Sequence, residues 1–364
     1  MGTLELLAIL RRPPMNRFSW LCVFAIAGLA HTATAGTKKG TVRCWGGNAY
    51  GACNVPADLG PVVQVAAGSG FTVALSPDGA VTCWGYNEYG QCNPPPGLGP
   101  CTQVDALLFH VVALTAFGTV EAWGHNYNGQ CDVPGHLGGV IQVAAGADHS
   151  MALRSDGSVV CWGGNFWHQC EVPPGLGACV QIAAGIQTSV ALQADGKIIC
   201  WGSGSSGECW VPIDNDFVQV DCGPQHTVGL RPNGAVECWG YNASGQCAVP
   251  AGLGPCIQVA GGGGHTVALK ADRTVASWGT QPQSAVPTDL GPVVQLAAGG
   301  NHTVAIELPA CDADLNSDNI VNGADIAVVL GFWGTGNPIA DVNGDGVVNG
   351  ADLGLVIGSW GPCP

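Results

Sequence analysis

The chain has 364 residues, and 57 Gly and 24 Pro beside only 10% charged residues exclude a helix bundle and suit many short strands. Its net charge of −15, from 11 Lys and Arg against 26 Asp and Glu, excludes the phosphate-neutralising surface that DNA or RNA binding requires.

Residues 1–35 read as a secretory signal. Met15-Asn16-Arg17 is a short basic stretch, Phe18 to Ala30 is apolar, and Ala33-Thr34-Ala35 has the small-x-small form of a cleavage site. Residues 1–14 precede this signal, so Met15 is a candidate start. The apolar run is shorter than the ~20 residues of a spanning helix, and no later stretch approaches that length. No membrane span is expected after cleavage; a retained N-terminal anchor is the alternative. Export fits the 18 cysteines, whose regular spacing suggests disulfides formed in an oxidising compartment.

Residues 36–309 are periodic. A Trp-Gly step recurs at Trp45, Trp84, Trp123, Trp162, Trp201, Trp239 and Trp278, a period close to 39 residues. Periods of this size mark propellers, solenoids or arrays. Each unit reads as four short extended segments, in the second unit Val81 to Gly85, a stretch near Cys92, Thr102 to Ala106, and Val111 to Leu114. Asp78-Gly79, Asp156-Gly157, Asp195-Gly196 and Asn233-Gly234 supply two-residue hairpin turns. The expectation is an all-β, seven-bladed propeller of four-stranded blades. Thr41 to Gly46 and His302 to Ile306 are complementary parts of one unit, so the two ends of the repeat region can complete a blade together. A linear solenoid would need atypical capping repeats, and neither end has one.

Val143-Ala144-Ala145-Gly146-Ala147-Asp148-His149-Ser150-Met151-Ala152-Leu153, Leu296 to Ile306 and the Trp-Gly-x-Asn-x-x-Gly-Gln turn resemble the regulator of chromosome condensation repeat family. The resemblance covers roughly residues 41–308. The Val-Pro that follows Gln-Cys is similar to exported bacterial members of the β-lactamase inhibitory protein II type. It implies a seven-bladed propeller used in protein recognition, and transfers no nuclear exchange activity to an acidic, exported chain.

His110, His149, His226, His265 and His302 share one repeat position, with Phe71 and Thr188 in their place elsewhere. A residue present once per unit and replaceable by Phe reads as framework, packing and satisfying a backbone group within its blade. The repeat tryptophans read as packing between blades. Five cysteine pairs lie nine residues apart: Cys44/Cys53, Cys83/Cys92, Cys161/Cys170, Cys200/Cys209 and Cys238/Cys247. They are lost together in the last unit, which suggests a bridge inside each blade. Cys131 faces Ala122, and Cys101, Cys179, Cys222 and Cys256 have no assigned partner. Zinc is a poor alternative, because no Cys-x-x-Cys occurs.

From residue 310 to 364 a new repeat begins. Asp314, Asn316, Asp318, Asn322 and Asp325 place side-chain oxygens at positions 1, 3, 5, 9 and 12 of a 12-residue loop, with the Ile320 carbonyl at position 7. Asp341, Asn343, Asp345, Asn349 and Asp352, with the Val347 carbonyl, repeat the set 27 residues later. Calcium needs six to eight such oxygens, so two calcium ions are expected. The doubled loop ending in Asp, each followed by an apolar helix, resembles the dockerin type I module. That resemblance implies calcium-dependent docking onto a cohesin-like or cell-surface receptor. Gly323-Ala324 and Gly350-Ala351 stand where Ser-Thr type pairs are common in that family, a departure at the recognition positions. Cys311 and Cys363 flank the module as a candidate clasp.

No metalloprotease helix, Gly-x-Ser-x-Gly elbow or phosphate loop is present. The chain therefore reads as a non-enzymatic binding protein for a protein or glycan. The alternatives are a hydrolase or lyase acting on polysaccharide, and an inhibitor of an extracellular enzyme. Tyr50, Tyr86, Tyr89, Tyr127, Phe166, Trp167 and Tyr241, in the loops after Trp-Gly, with Phe109 in a second loop, are the candidate contact residues.

Overall fold

The computed structural model describes residues 39–308, 313–316 and 320–362. The signal reading, Asp318, Cys311 and Cys363 lie outside the described residues.

Residues 41–307 form seven three-stranded antiparallel sheets. Blade 1 is Gln64–Ala67, Phe71–Leu75 and Val81–Gly85; blade 2 is Cys101–Leu107, His110–Thr115 and Val120–Gly124. Blade 3 begins at Val140, blade 4 at Cys179, blade 5 at Gln219 and blade 6 at Cys256. Blade 7 joins Val293–Ala298 and His302–Glu307 to Thr41–Gly46, with Trp45 opposite Thr303 and Gly46 opposite His302. The two ends of the repeat region thus share one sheet, as the cut in the repeat implied.

The expected fourth strand is absent. After each Trp-Gly step the chain makes consecutive turns instead. In blade 1 the Asn87 side chain accepts from Cys92 N at 2.8 Å, Asn93 N bonds to Gly90 O, and Gly90 sits at φ +76°. Pro94, Pro95 and Pro96 follow and supply no amide hydrogens for a ladder. The Asn and Gly that recur here fold the segment on itself, so it runs outside the sheet as a strap.

The core lies between blades. Each apolar cluster draws on two neighbours, as where Val73 and Leu75 of blade 1 meet Val104, Val111 and Trp123 of blade 2. Six of the seven repeat tryptophans add an inter-blade hydrogen bond; Trp123 Nε1 donates to Gln91 O at 2.9 Å and Trp162 Nε1 to Gln130 O at 3.0 Å.

Seven buried glutamines on the inner strands tie the ring. Gln64 Nε2 donates to Val104 O at 3.0 Å while its Oε1 accepts from Val104 N at 2.9 Å. Gln103, Gln142, Gln181, Gln219 and Gln258 repeat this clasp on the next blade. Gln295 applies it to Val65 of blade 1, which closes the circle.

The histidines also work between blades rather than within one. His149 Nε2 meets Ser189 Oγ at 2.9 Å, and Ser189 Oγ donates to Gln169 O at 2.8 Å. With the hydroxyl hydrogen committed, the ring must donate from Nε2. His110, His226, His265 and His302 make the same contact with Ser150, Thr266, Thr303 and Thr72.

The described C-terminal residues hold two nine-residue helices, α1 (Gly323–Gly331) and α2 (Gly350–Gly358). Ile320–Val321 pairs with Gly361–Pro362, and Val321, Val329, Val348 and Val356 fill a small core. No helix among the described residues is long and apolar enough to cross a membrane.

Candidate functional site

The register fixes two ends of the ring. Trp-Gly steps pair with the repeat histidines at one end, as Gly163 with His149, while Val159 pairs with Leu153 towards the Asp-Gly turns at the other. The Trp-Gly end carries the loops with the candidate aromatic residues.

Five of the eight candidates come together across the straps and hairpins of blades 7, 1 and 2. Tyr50 lies 4.8 Å from Tyr86, Tyr86 5.6 Å from Phe109, and Phe109 5.3 Å from Tyr89. Tyr89 meets the His125 ring edge-on at 4.8 Å, and His125 stacks towards Tyr127 at 6.5 Å. These tilted and edge contacts are the favoured aromatic geometries, so the six rings support one another as a ridge. The ridge faces solvent: Tyr50 is 62% exposed and Tyr127 88%. His125 stands where blade 1 has Tyr86, directly after Trp-Gly, and that shared register was the signal that would have found it. Gln130 Nε2 holds His125 Nδ1 at 2.9 Å. Tyr86 donates its hydroxyl hydrogen to Glu88, and that bond to a carboxylate pushes its pKa up to about 12.

The other three candidates lie apart from the ridge contacts. Phe166 and Trp167 form their own edge-on pair at 5.1 Å, and Tyr241 is exposed with no aromatic contact among the described residues.

A second feature lies on the axis. The inner strands enclose a cavity of about 110 Å³, into which Asp105 and Asp221 project where the other five repeats have alanine. Asp105 Oδ2 accepts from Ala145 N at 2.8 Å and Asp221 Oδ2 from Gly261 N at 2.9 Å. Burial raises the Asp105 carboxyl to about 6; burial, with a further push from Asp105, raises Asp221 to about 7. The two residues are 116 apart in sequence, and only ring closure brings them into one channel.

Cys44–Cys53 and Cys200–Cys209 are disulfides. Cys83/Cys92, Cys161/Cys170 and Cys238/Cys247 are unbridged thiols in the same blade positions, the last with its sulfurs 2.7 Å apart. Cys92 Sγ instead contacts Tyr86 O at 3.3 Å and Cys170 Sγ contacts Gly164 O at 3.3 Å. Cys101, Cys179, Cys222 and Cys256 are buried thiols, and Cys131 is a half-buried one.

In the C-terminal region the two loop-ending aspartates are buried and alike. Asp325 Oδ1 accepts from Leu315 N and its Oδ2 from Asn322 N; Asp352 Oδ1 accepts from Asn343 N and its Oδ2 from Asn349 N. Asp341 Oδ2 accepts from Gly346 N at 2.8 Å, and Gly346 takes φ +89° as the sharp turn at position 6 requires. Asn343, Asp345, Val347 and Asn349 follow at the alternate positions, and Asp314 and Asn316 open the first loop. This hard oxygen set suits a calcium ion in kind. Among the described residues no group of three His, Cys, Asp or Glu side chains stands close enough together to hold a metal ion.

The Regulator of chromosome condensation (RCC1) repeat family matches residues 62–91, 140–168, 179–208 and 217–246. A comparison with curated proteins found no match. Among solved structures the chain is similar to Prp20p from Saccharomyces cerevisiae, with 19% identity, a TM-score of 0.66, and coverage of 79% of this chain and 96% of that one. It is similar to human WBSCR16 at 19% identity and a TM-score of 0.62, covering 74% and 99%. The ectodomain of the Physcomitrella patens receptor kinase CR4 follows at 25% identity and a TM-score of 0.56, covering 65% and 67%. The matched repeats lie in blades 1, 3, 4 and 5 of the ring, and the solved structures that the chain resembles share its fold.

Proposed function

We propose that the chain is an exported, non-enzymatic binding protein whose propeller takes a protein partner on the aromatic ridge. The carrying observation is the ridge itself, six rings from three straps and one hairpin gathered on one open surface. Exposed clustered aromatics supply large contact area at low cost in side-chain entropy, the usual chemistry of binding hot spots. Prp20p, which has this fold, is described with binding properties to Gsp1p and histones, and yeast RCC1 is seen bound to Kap60. These precedents support a protein partner in kind and no particular one.

Against catalysis at Asp105 and Asp221 stands the size of the axial cavity. Its about 110 Å³ is well below the ~300 Å³ at which small-molecule sites begin, too little for a polysaccharide segment beside Asp105 and Asp221. The C-terminal loops are proposed to take two calcium ions and, through the dockerin-like helices, to anchor the chain to a cohesin-like or cell-surface receptor.

Immobilised calcium-loaded full-length chain should retain a protein that the Tyr89→Ala/Tyr127→Ala variant does not. Retention of glycans alone would move the reading to a glycan-binding propeller, and retention of nothing would sink it. Turnover of a polysaccharide or ester panel, lost in Asp105→Asn or Asp221→Asn, would overturn the non-enzymatic reading. Calorimetry of the full chain should show two calcium sites, reduced to one by Asp352→Ala; no binding heat would sink the anchor.

A further inference from the structure

The two ends of the propeller differ in charge as well as in aromatic content. Seven Lys and Arg lie among the described residues, and all seven belong to the Asp-Gly end. Arg43 reaches Glu307 at 2.9 Å and Asp289 at 2.9 Å; Arg231 Nε reaches Glu237 at 2.6 Å. Lys197 pairs with Asp195, and Lys270 with Asp272 at 3.6 Å. Arg154 closes a strand at an Asp-Gly turn, Arg273 occupies another such turn, and Lys39 leads into Gly40, which bridges to Val62 at that edge. Six of these cations are thus fixed at or near acidic side chains or turn backbone, far from the ridge.

The Trp-Gly end has none. Its described straps and hairpins carry Glu88, Asp148 and Glu171 beside the aromatic residues, with no lysine or arginine to neutralise them. Glu88 is exposed beside Tyr86, and Asp148 lies in the hairpin of blade 3, next to the strap that holds Tyr127. An aromatic face attracts a cation through its ring quadrupole, and carboxylates at the rim add to the attraction. A chain of net charge −15 also steers cationic partners toward itself and repels acidic ones.

We infer that the ridge recognises a cationic protein segment, seating a lysine or arginine side chain over Tyr86, Tyr89 and Tyr127 with Glu88 at its rim. The inference rests on the reading of the ridge as the protein-binding surface, and adds the chemistry of the partner. It excludes acidic partners, and it explains why all the cations of the ring are held at the other end, where they cannot compete for the rings.

A random peptide library displayed on phage, selected against the immobilised full-length chain, tests this without a known partner. The expected result is enrichment of Lys- or Arg-bearing peptides. Their affinity should fall at least tenfold in Tyr89→Ala/Tyr127→Ala, several-fold in Glu88→Gln, and steeply between 0.05 and 0.5 M salt. The variants should melt with the wild type, since the side chains removed are exposed. Peptides that depend on the two tyrosines without enrichment of Lys or Arg would overturn the cationic inference and leave the docking reading standing. Cationic peptides that bind the double variant equally well would mark general attraction to an acidic chain and also overturn it. Selection of no peptide that depends on the ridge would remove both.

Discussion

Gln295 grips Val65 by both backbone groups, accepting from its N–H at 2.7 Å and donating to its C=O at 3.0 Å, across 230 residues of sequence. No strand hydrogen bonds join blade 7 to blade 1 at this point, and the carboxamide closes the inner ring together with the His302–Thr72 contact and the bond from Gly300 N to Gly68 O. Gln295→Ala leaves a buried donor and acceptor without partners, at about 1–3 kcal/mol each. A loss of about 2–5 kcal/mol in denaturant unfolding is expected. The Val65 amide should also exchange with solvent faster than its counterparts Val104 and Val143. Unchanged exchange at Val65 would show that the clasp does not hold the closure.

Stability should depend on pH with a definite sign. Burial holds His110 and His265 at about 3 and His149, His226 and His302 at about 4, all below the ordinary 6.5. Their neutral forms favour the fold; that contribution is complete above pH 6.5 and is lost as pH falls towards 4. Asp105 and Asp221 act in the opposite sense. Their raised values favour the fold while they are protonated, and that contribution fades as pH rises through about 6 and about 7. Near pH 5, unfolding takes up five protons on the histidines and releases two from the aspartates, a net uptake of three. Stability should therefore climb with pH from 4 to 6.5, by up to about 4 kcal/mol per unit. Asp105→Asn/Asp221→Asn should steepen the climb and raise stability at pH 8. Urea midpoints taken at half-unit steps measure both, and a flat profile would contradict the account.

The spacing Gly-x-x-His has a steric cause. A Cβ on Gly146 would lie 2.4 Å from the His149 ring, and one on Gly262 2.2 Å from that of His265. Gly146→Ala should cost about 2–3 kcal/mol through forced displacement of the ring. Gly97→Ala, where a Cβ meets open space and only the φ of +82° objects, should cost about 1 kcal/mol. Equal melting shifts for the two variants would argue against ring contact as the cause.

This spacing also shows what the sequence could convey. Recurrence of Trp-Gly, Gly-x-x-His and Asp-Gly marked the ring, the turns and the sharing of a blade between the two ends, because each is a local pattern that returns along the chain, Trp-Gly seven times. The fourth strand was misread because Asn87 and Gly90 look like loop punctuation beside a strand, when they fold the whole segment into turns. The histidines were recognised as framework, but their partners lie about 40 residues on, in the next blade. The inner glutamines stood in the repeat unit without an assigned role for the same reason. The ridge was half legible. Its tyrosines were visible as loop aromatics, but their convergence, the entry of His125 and the exclusion of Trp167 follow from the placing of straps around the ring.

The two formed disulfides close short loops with cysteines nine residues apart. Cys44→Ala/Cys53→Ala should cost about 2–3 kcal/mol in the loop-entropy account. Peptide mapping of non-reduced protein isolated from its native source should find Cys238 linked to Cys247, whose sulfurs are already adjacent. A mapped link from Cys247 to any other cysteine would contradict the in-blade pairing.

The most direct test uses two similarly exposed aromatic residues on opposite ends of the ring. Tyr127, 88% exposed, stands on the ridge, and Phe117, 78% exposed, stands in the turn before Gly118 at the Asp-Gly end. A photoreactive phenylalanine placed at each position in turn, in full-length chain returned to its native source, reports which end meets a partner. Covalent capture of a discrete protein from position 127 and none from position 117 is the predicted result. Capture from position 117 alone would contradict the assignment of the aromatic ridge as the binding surface.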